Sequence, residues 1–306
     1  METQTLIAKD NLPNLHTQAR QVFNTLDVSQ ATQTDYQYRI GLFVDFISEH
    51  GLTVNSYLEY KRYLANRNDI SVATKNKYLA AARVMLKELN RTGHLPVDIT
   101  QNVKAFSQNK KHKRDGLNDA EIERLVEQLR PQKPTPHNTK MRAIFCLLAL
   151  QGLRQVELVR LDVKDLDLIR SVAYVRGKGR DDKEPVSLHP ATVDALKTYL
   201  KVNKLADGAL FISGSNRSMN QRLSTRAIHR YVSAMFKELD ISKTPHGFRH
   251  YFTTTLIKSY KGDLLEVARY TRHQSLEMLQ VYNDNINAKA DLPRYYKTFS
   301  GVKFND

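Results

Sequence analysis

Apolar residues recur every three to four positions through most of this chain, and the places where that rhythm stops mark its elements. Over residues 32–50, Ile40, Phe43, Val44 and Ile47 form one stripe that predicts a helix, and Gly51 ends it. A second helix is predicted over 54–67, with Val54, Leu58 and Leu64 inward. A third opens at Ser71, whose hydroxyl can cap the first free amides. It buries Tyr78, Ala81, Ala82, Met85, Leu86 and Leu89 before Gly93 and Pro96 stop it. These stripes predict a helical domain over 18–106, preceded by an N-terminal extension over 1–17.

From 107 to 116 the apolar rhythm is lost, and the segment is polar and basic, which predicts an interdomain linker. Asn118 and Glu121 then form a capping pair ahead of Ile122, Leu125, Val126 and Leu129. After three prolines, the run 138–151 is apolar on most sides and predicts a helix through the centre of a second domain. Alternation over 172–176 and 186–188 predicts two short strands with Gly177-Lys178-Gly179 between them. Helices are predicted again over 190–201, 224–239, 245–259 and 264–270. The 245–259 helix has Thr244 as cap and Pro245 as first residue, and the 264–270 helix has Asp263 and Glu266 as capping box. A last helix runs from 275 to Tyr282, ended by Asn283-Asp284-Asn285. The expected fold is mainly α with a small antiparallel β-sheet, in two domains, the second over 117–287 with a tail over 288–306.

Charge narrows the function. The 306 residues carry a formal net charge of +15, from 47 Lys and Arg against 32 Asp and Glu. Up to Gly116 there are 16 basic and 11 acidic residues, and after it 31 and 21, so both domains are cationic and suited to a polyanion. The single Cys146 lies in an apolar run and reads as a small buried hydrophobe. It excludes a disulfide framework within one chain and favours a reducing cytoplasm. No apolar run is long enough to span a bilayer. Gly177-Lys178-Gly179 lacks the glycine spacing and the following Ser or Thr of a nucleotide-binding phosphate loop.

Candidate chemistry lies in the second domain, in Gly152-Leu153-Arg154-Gln155-Val156-Glu157, Gly177-Lys178-Gly179, His246-Gly247-Phe248-Arg249-His250 and His273-Gln274-Ser275. Tyr282 follows nine residues after His273. Arg154 and Arg249 can each present a planar, always-charged fork to two non-bridging phosphate oxygens. Glu157 sits where a carboxylate can orient a neighbouring cation. His246 and Arg249 are one helical turn apart and share a face. His246 and His250 also have zinc-ligand spacing, but Gly247 stands where a zinc protease needs glutamate, and no third ligand is near. Two arginines can supply the charge compensation a metal would give, so neither metal nor cofactor is expected. Lys178, on its hairpin tip, can reach into a cleft, with Arg176, Arg180 and Lys183 as competitors. Thr74, Lys75 and Lys77 suit phosphate contacts or an ordinary solvated face. Lys110, Lys111, Lys113 and Arg114 can lie along DNA from the linker.

Taken together, these motifs resemble the catalytic signature of the tyrosine recombinases, the phage-integrase and Xer-like or Cre-like family. The resemblance is specific over about 117–282 and loose in the N-terminal helices. It implies Arg154, Lys178, His246, Arg249, His273 and Tyr282 as catalytic residues, with Tyr282 the nucleophile and Lys178 the acid that protonates the departing 5′-hydroxyl. It also implies a 3′-phosphotyrosyl intermediate, double-stranded DNA with a specific site as partner, a two-domain clamp around it, and a tetramer on paired sites. A type IB topoisomerase-like or telomere-resolving enzyme shares this chemistry, and a site-organising DNA-binding protein without catalysis is the alternative of another class. With about 17 residues before the first helices, no separate arm-site-binding domain is expected, which favours a simple Xer-like or Cre-like architecture. One departure from the family pattern is Arg272, where a glycine usually precedes the histidine; it is expected to strain the turn and to add a phosphate contact. In the tail, Leu292, Tyr295, Tyr296 and Phe299 line one stripe, either folded back or docked on a neighbouring protomer.

Overall fold

The computed structural model describes residues 5–7, 22–108, 116–177, 179–214, 219–273 and 275–298. The chain separates into two compact units, residues 1–109 and 110–306.

Among the described residues the first unit is built mainly from three α-helices: α1 (Gln30–His50), α2 (Ser56–Asn66) and α3 (Val72–Arg91). Ser29 and Ser71 cap α1 and α3 by accepting from the amides of Thr32 and Thr74, and Gly51 leaves α1 at φ 79°. Phe43, Ile47, Tyr60, Leu64, Met85 and Leu86 meet in the core, with the Phe43 and Tyr60 rings edge-to-face at 4.8 Å. Leu58 is partly exposed; α2 turns Tyr57 and Tyr60 inward instead, the larger rings taking the buried face. Near the N-terminus, β1 (Thr5–Ile7) pairs antiparallel with β2 (Leu52–Thr53).

In the second unit α4 (Asp119–Leu129) begins with the Asn118–Glu121 capping box, and α5 (Pro136–Leu150) is buried along most of its length. Short α6 (Gln155–Arg160) leads to a three-stranded antiparallel sheet of β3 (Leu166–Asp167), β4 (Val172–Arg176) and β5 (Lys183–Ser187), in that order. Ala173 and Val175 point into the core and Tyr174 outward, as the period of two demands. Then come α7 (Pro190–Asn203), α8 (Thr225–Glu238), α9 (Gly247–Ser259), α10 (Leu264–Thr271) and α11 (Leu276–Thr298). The α5 helix packs mainly against α7 and α9. Among the described residues the fold is mainly α, with a two-stranded antiparallel pair in the first unit and a small three-stranded antiparallel sheet in the second.

Three details differ from the sequence reading. Helix α9 starts at Gly247, with Pro245 and His246 in a preceding turn closed by Gly247 N–H donating to the Thr244 carbonyl at 2.7 Å. Cys146 is partly exposed beside α7 rather than fully buried. The third concerns 283–285: the chain does not break there, and α11 runs on to Thr298. Leu279, Tyr282 and Ile286, three and four apart, continue one stripe against α9 and α10 past those polar residues.

Candidate active site

Arg154 is placed by a turn that only glycine can make here. Gly152 has φ 58°, and a Cβ on it would lie 2.3 Å from the Phe252 ring. Arg154 then stands at the N-terminus of α6, its amide donating to Glu157 Oε2 at 2.9 Å and its Nη1 to Glu157 Oε1 at 2.7 Å. Its side chain stays 31% exposed, open to a ligand, whereas Glu157 is 1% exposed.

Arg249 is held from behind. Its Nη1 donates to the Gly152 carbonyl at 2.8 Å and its Nη2 to the Thr271 carbonyl at 2.6 Å, so α9 is tied to the turn before α6 and to the C-terminal end of α10. Burial lowers its pKa to about 10, with the charge of Arg154 adding to the effect, and it remains a cation at neutral pH.

Helix α10 ends with Arg272 in the left-handed region at φ 54°, its amide capping the Ala268 carbonyl at 2.9 Å. His273 follows, its Nδ1 2.8 Å from the Thr271 hydroxyl. Burial, then the charges of Arg249, Arg154, Arg272 and His246, push the His273 pKa down to about 3. The imidazole is neutral at pH 7, and in the tautomer whose Nδ1 accepts from the Thr271 hydroxyl its Nε2 carries the proton and can donate to a phosphate oxygen.

Tyr282 sits on α11 against Ile257 and Val267, and its side chain is 5% exposed. Its ring centroid lies 5.0 Å from that of His250 and 6.2 Å from that of His273. Burial raises its pKa to about 12, while Arg249 and Arg154 pull it down. Full ionisation at pH 7 would cost about 7 kcal/mol, so a phenol held here can act as a nucleophile only if it loses its proton as the bond forms.

Arg154, Glu157, His246, Arg249, His273 and Tyr282 thus converge from α6, α9, α10 and α11. Lys178 lies outside the described residues, as do Lys110, Lys111, Lys113 and Arg114. The cations flanking Lys178 have carboxylate partners: Lys183 with Asp165, Arg180 with Glu184 at 2.7 Å, and Arg176 with Asp181 at 3.7 Å. Among the described residues no group of three or more His, Cys, Asp or Glu could hold a metal ion.

His250 was legible only as a metal-spacing partner of His246. It is buried between the rings of His246 and Tyr282, 4.9 Å from the exposed His246 and 5.0 Å from Tyr282. Gly116 makes room for it, since a Cβ there would lie 2.5 Å from that of His250. In the first unit Lys77 is exposed and Thr74 bonds to the Ser71 hydroxyl at 2.9 Å. Lys75 does not fit a DNA contact. It is 9% exposed and its ammonium donates to the Ala65 carbonyl at 2.8 Å, satisfying the end of α2. Arg272 also differs from expectation: its side chain is turned from solvent and bonded to Glu157.

The phage integrase family model matches residues 116–289, more than half of the chain and the whole of this constellation. The chain is a tyrosine recombinase. It is 25% identical over 280 residues to the tyrosine recombinase XerD of Lacticaseibacillus casei, covering 89% of this chain and 93% of that protein. It is 31% identical over 236 residues to the XerC of Pelotomaculum thermopropionicum, covering 73% and 74%. The fold matches XerH in a post-cleavage complex with its difH substrate at TM-score 0.71, with 17% identity and 94% and 84% coverage. It matches the Tn1549 transposon integrase in complex with transposon right end DNA at 0.67, with 16% identity and 92% and 98% coverage. As a tyrosine recombinase it is an enzyme that breaks and rejoins DNA. No helix among the described residues is long and apolar enough to cross a membrane.

Proposed function

We propose that this recombinase exchanges strands at a specific double-stranded DNA site, with the Tyr282 phenol as nucleophile. The phenolic oxygen forms a bond to the scissile phosphorus and the bond to the 5′-oxygen breaks, leaving the 3′-phosphate on Tyr282. Arg154 and Arg249 take the charge that grows on the non-bridging oxygens, and His273 adds a neutral hydrogen bond. The phenol proton passes toward His246 on the side where His250 packs, and Lys178 gives a proton to the departing 5′-oxygen. A free 5′-hydroxyl from a partner strand then reverses the step, so no external energy source is used. The observation that carries this reading is the burial of Tyr282 within the field of two arginines, one immobilised by two carbonyls and one still open to solvent.

The protein is proposed to act in the cytoplasm, both of its cationic units binding DNA, with Lys77 and the linker cations on phosphates. Assembly to a tetramer on paired sites is supported by α11, whose last turns leave Leu292, Tyr295 and Tyr296 exposed on one side. Removing the chain from Ala290 onward should spare half-site binding and abolish strand exchange; unchanged exchange would make this stripe local packing only. Arg154→Ala and Arg249→Ala test the chemistry. Each should lose cleavage of a nicked substrate by at least about a hundredfold while half-site affinity changes little. Equal losses in both would make these arginines binding cations.

A further inference from the structure

The residue that departs from the family pattern has been given a structural partner on each side. Arg272 holds a backbone conformation that costs a side-chain-bearing residue energy, and such a conformation persists where the surroundings over-determine it. What over-determines it is charge. The guanidinium is 6% exposed; Nη2 donates to Glu157 Oε2 at 3.0 Å, and Nε lies 3.8 Å from Glu184 Oε1. Glu157 is the carboxylate that orients Arg154. Glu184 stands on β5 opposite Val175 of β4, in the hairpin whose two strands flank Lys178 in the sequence. The same hairpin is gripped from α6 by Arg160, whose Nη1 donates to the Gly177 carbonyl at 3.1 Å.

We propose that Arg272 is a positioning residue that links Arg154 to the hairpin through the chain Arg154–Glu157–Arg272–Glu184, whose two middle members are buried. Two of its nitrogens, Nε and Nη1, are buried without a hydrogen-bond partner among the described residues. A buried donor left unmet is costly, and Glu184 needs to approach Nε by only about 1 Å to satisfy it. Closing that gap draws β5 toward α6 and fixes the reach of the hairpin over the phosphate. Where the pattern's glycine leaves these two carboxylates unlinked, this chain ties them with one fork. The reading rests on Lys178 as the proton donor to the 5′-oxygen.

The test compares the wild type with Arg272→Gly, Glu184→Gln, their double variant, Lys178→Ala and Arg154→Ala. Arg272→Gly relieves the left-handed backbone, so it is expected to fold, and half-site binding by gel shift confirms it. Cleavage of a nicked substrate should fall by about a hundredfold in Arg272→Gly, as misplacement of a catalytic group by an ångström does. The double variant should fall no further than the worse single, because both cut the same link. Multiplying losses, or wild-type cleavage by Arg272→Gly, would overturn the proposal. A substrate with a 5′-bridging sulfur, whose leaving group needs little protonation, then separates the two readings. It should rescue Lys178→Ala and Arg272→Gly but not Arg154→Ala. Rescue of Lys178→Ala without Arg272→Gly overturns the link to the hairpin. Failure to rescue Lys178→Ala removes Lys178 as the acid, and the double-variant comparison still decides Arg272.

Discussion

Glu157→Gln is the substitution whose consequence follows most directly from the packing. The carboxylate is almost fully buried and binds two guanidinium groups and one backbone amide. Glutamine preserves the shape, removes the charge and turns an N–H toward one of the arginines. Arg154, still partly exposed, can recover hydration, and losing its pair costs at most about 1 kcal/mol. Arg272 cannot, because the other carboxylate beside it among the described residues, Glu184, is 3.8 Å away. Stranding one member of a buried pair costs about 3–5 kcal/mol. For a unit of this size each kilocalorie moves the midpoint by about 2–4 °C, so Tm should fall by roughly 6–20 °C. Thermal unfolding by circular dichroism measures it. Adding Arg272→Gly removes both the stranded cation and its left-handed backbone, and should restore at least about half of the loss. A Tm within about 2 °C of the wild type for Glu157→Gln, or a further fall in the double variant, would refute the assignment of Glu157 as the shared counter-charge.

His273 should stay neutral in the free protein well below its ordinary value near 6.5. Its folded-state pKa is the lower one, so its contribution to stability is fully present above about pH 6.5 and is lost as pH falls toward 3. Ring-carbon NMR with His273→Gln for assignment checks this, and a midpoint near 6.5 would contradict it. A bound phosphate should raise that midpoint, giving proton uptake on DNA binding at mildly acidic pH. In the first unit, Lys77→Ala should reduce the slope of log affinity against log salt by about 0.9, as loss of one phosphate contact does. Lys75→Ala should leave the slope unchanged and lower Tm, because its ammonium caps α2. The opposite pattern would exchange their roles.

The helices were legible because the period that buries Ile40, Phe43 and Ile47, or Leu125 and Leu129, is set by local geometry. Arg154, Arg249, His273 and Tyr282 were legible as chemistry because few other functions call for that set of side chains in that order. What the sequence hid depends on contacts between distant residues. Lys75 looks like any lysine on a helix face until the end of α2 comes to lie beside it. Arg272 finds its carboxylate 115 positions away in Glu157, which no local pattern announces. The run Asn283-Asp284-Asn285 reads as a stop by propensity, and the stripe through Tyr282 and Ile286 overrides it by packing. His250 was seen only as a potential ligand, because its proximity to Tyr282 exists only once α11 lies across α9.

The central claim is that Tyr282 is the atom-bearing nucleophile, and covalent capture tests it most directly. Wild-type protein and Tyr282→Phe are each incubated with a nicked suicide substrate carrying the target site, then digested and analysed by mass spectrometry. The account predicts a single adduct in the wild type, a 3′-linked nucleotide on the peptide containing Tyr282, and none in Tyr282→Phe despite unchanged half-site binding. An adduct on another tyrosine, a 5′-linked nucleotide, or covalent complex persisting in Tyr282→Phe would contradict it.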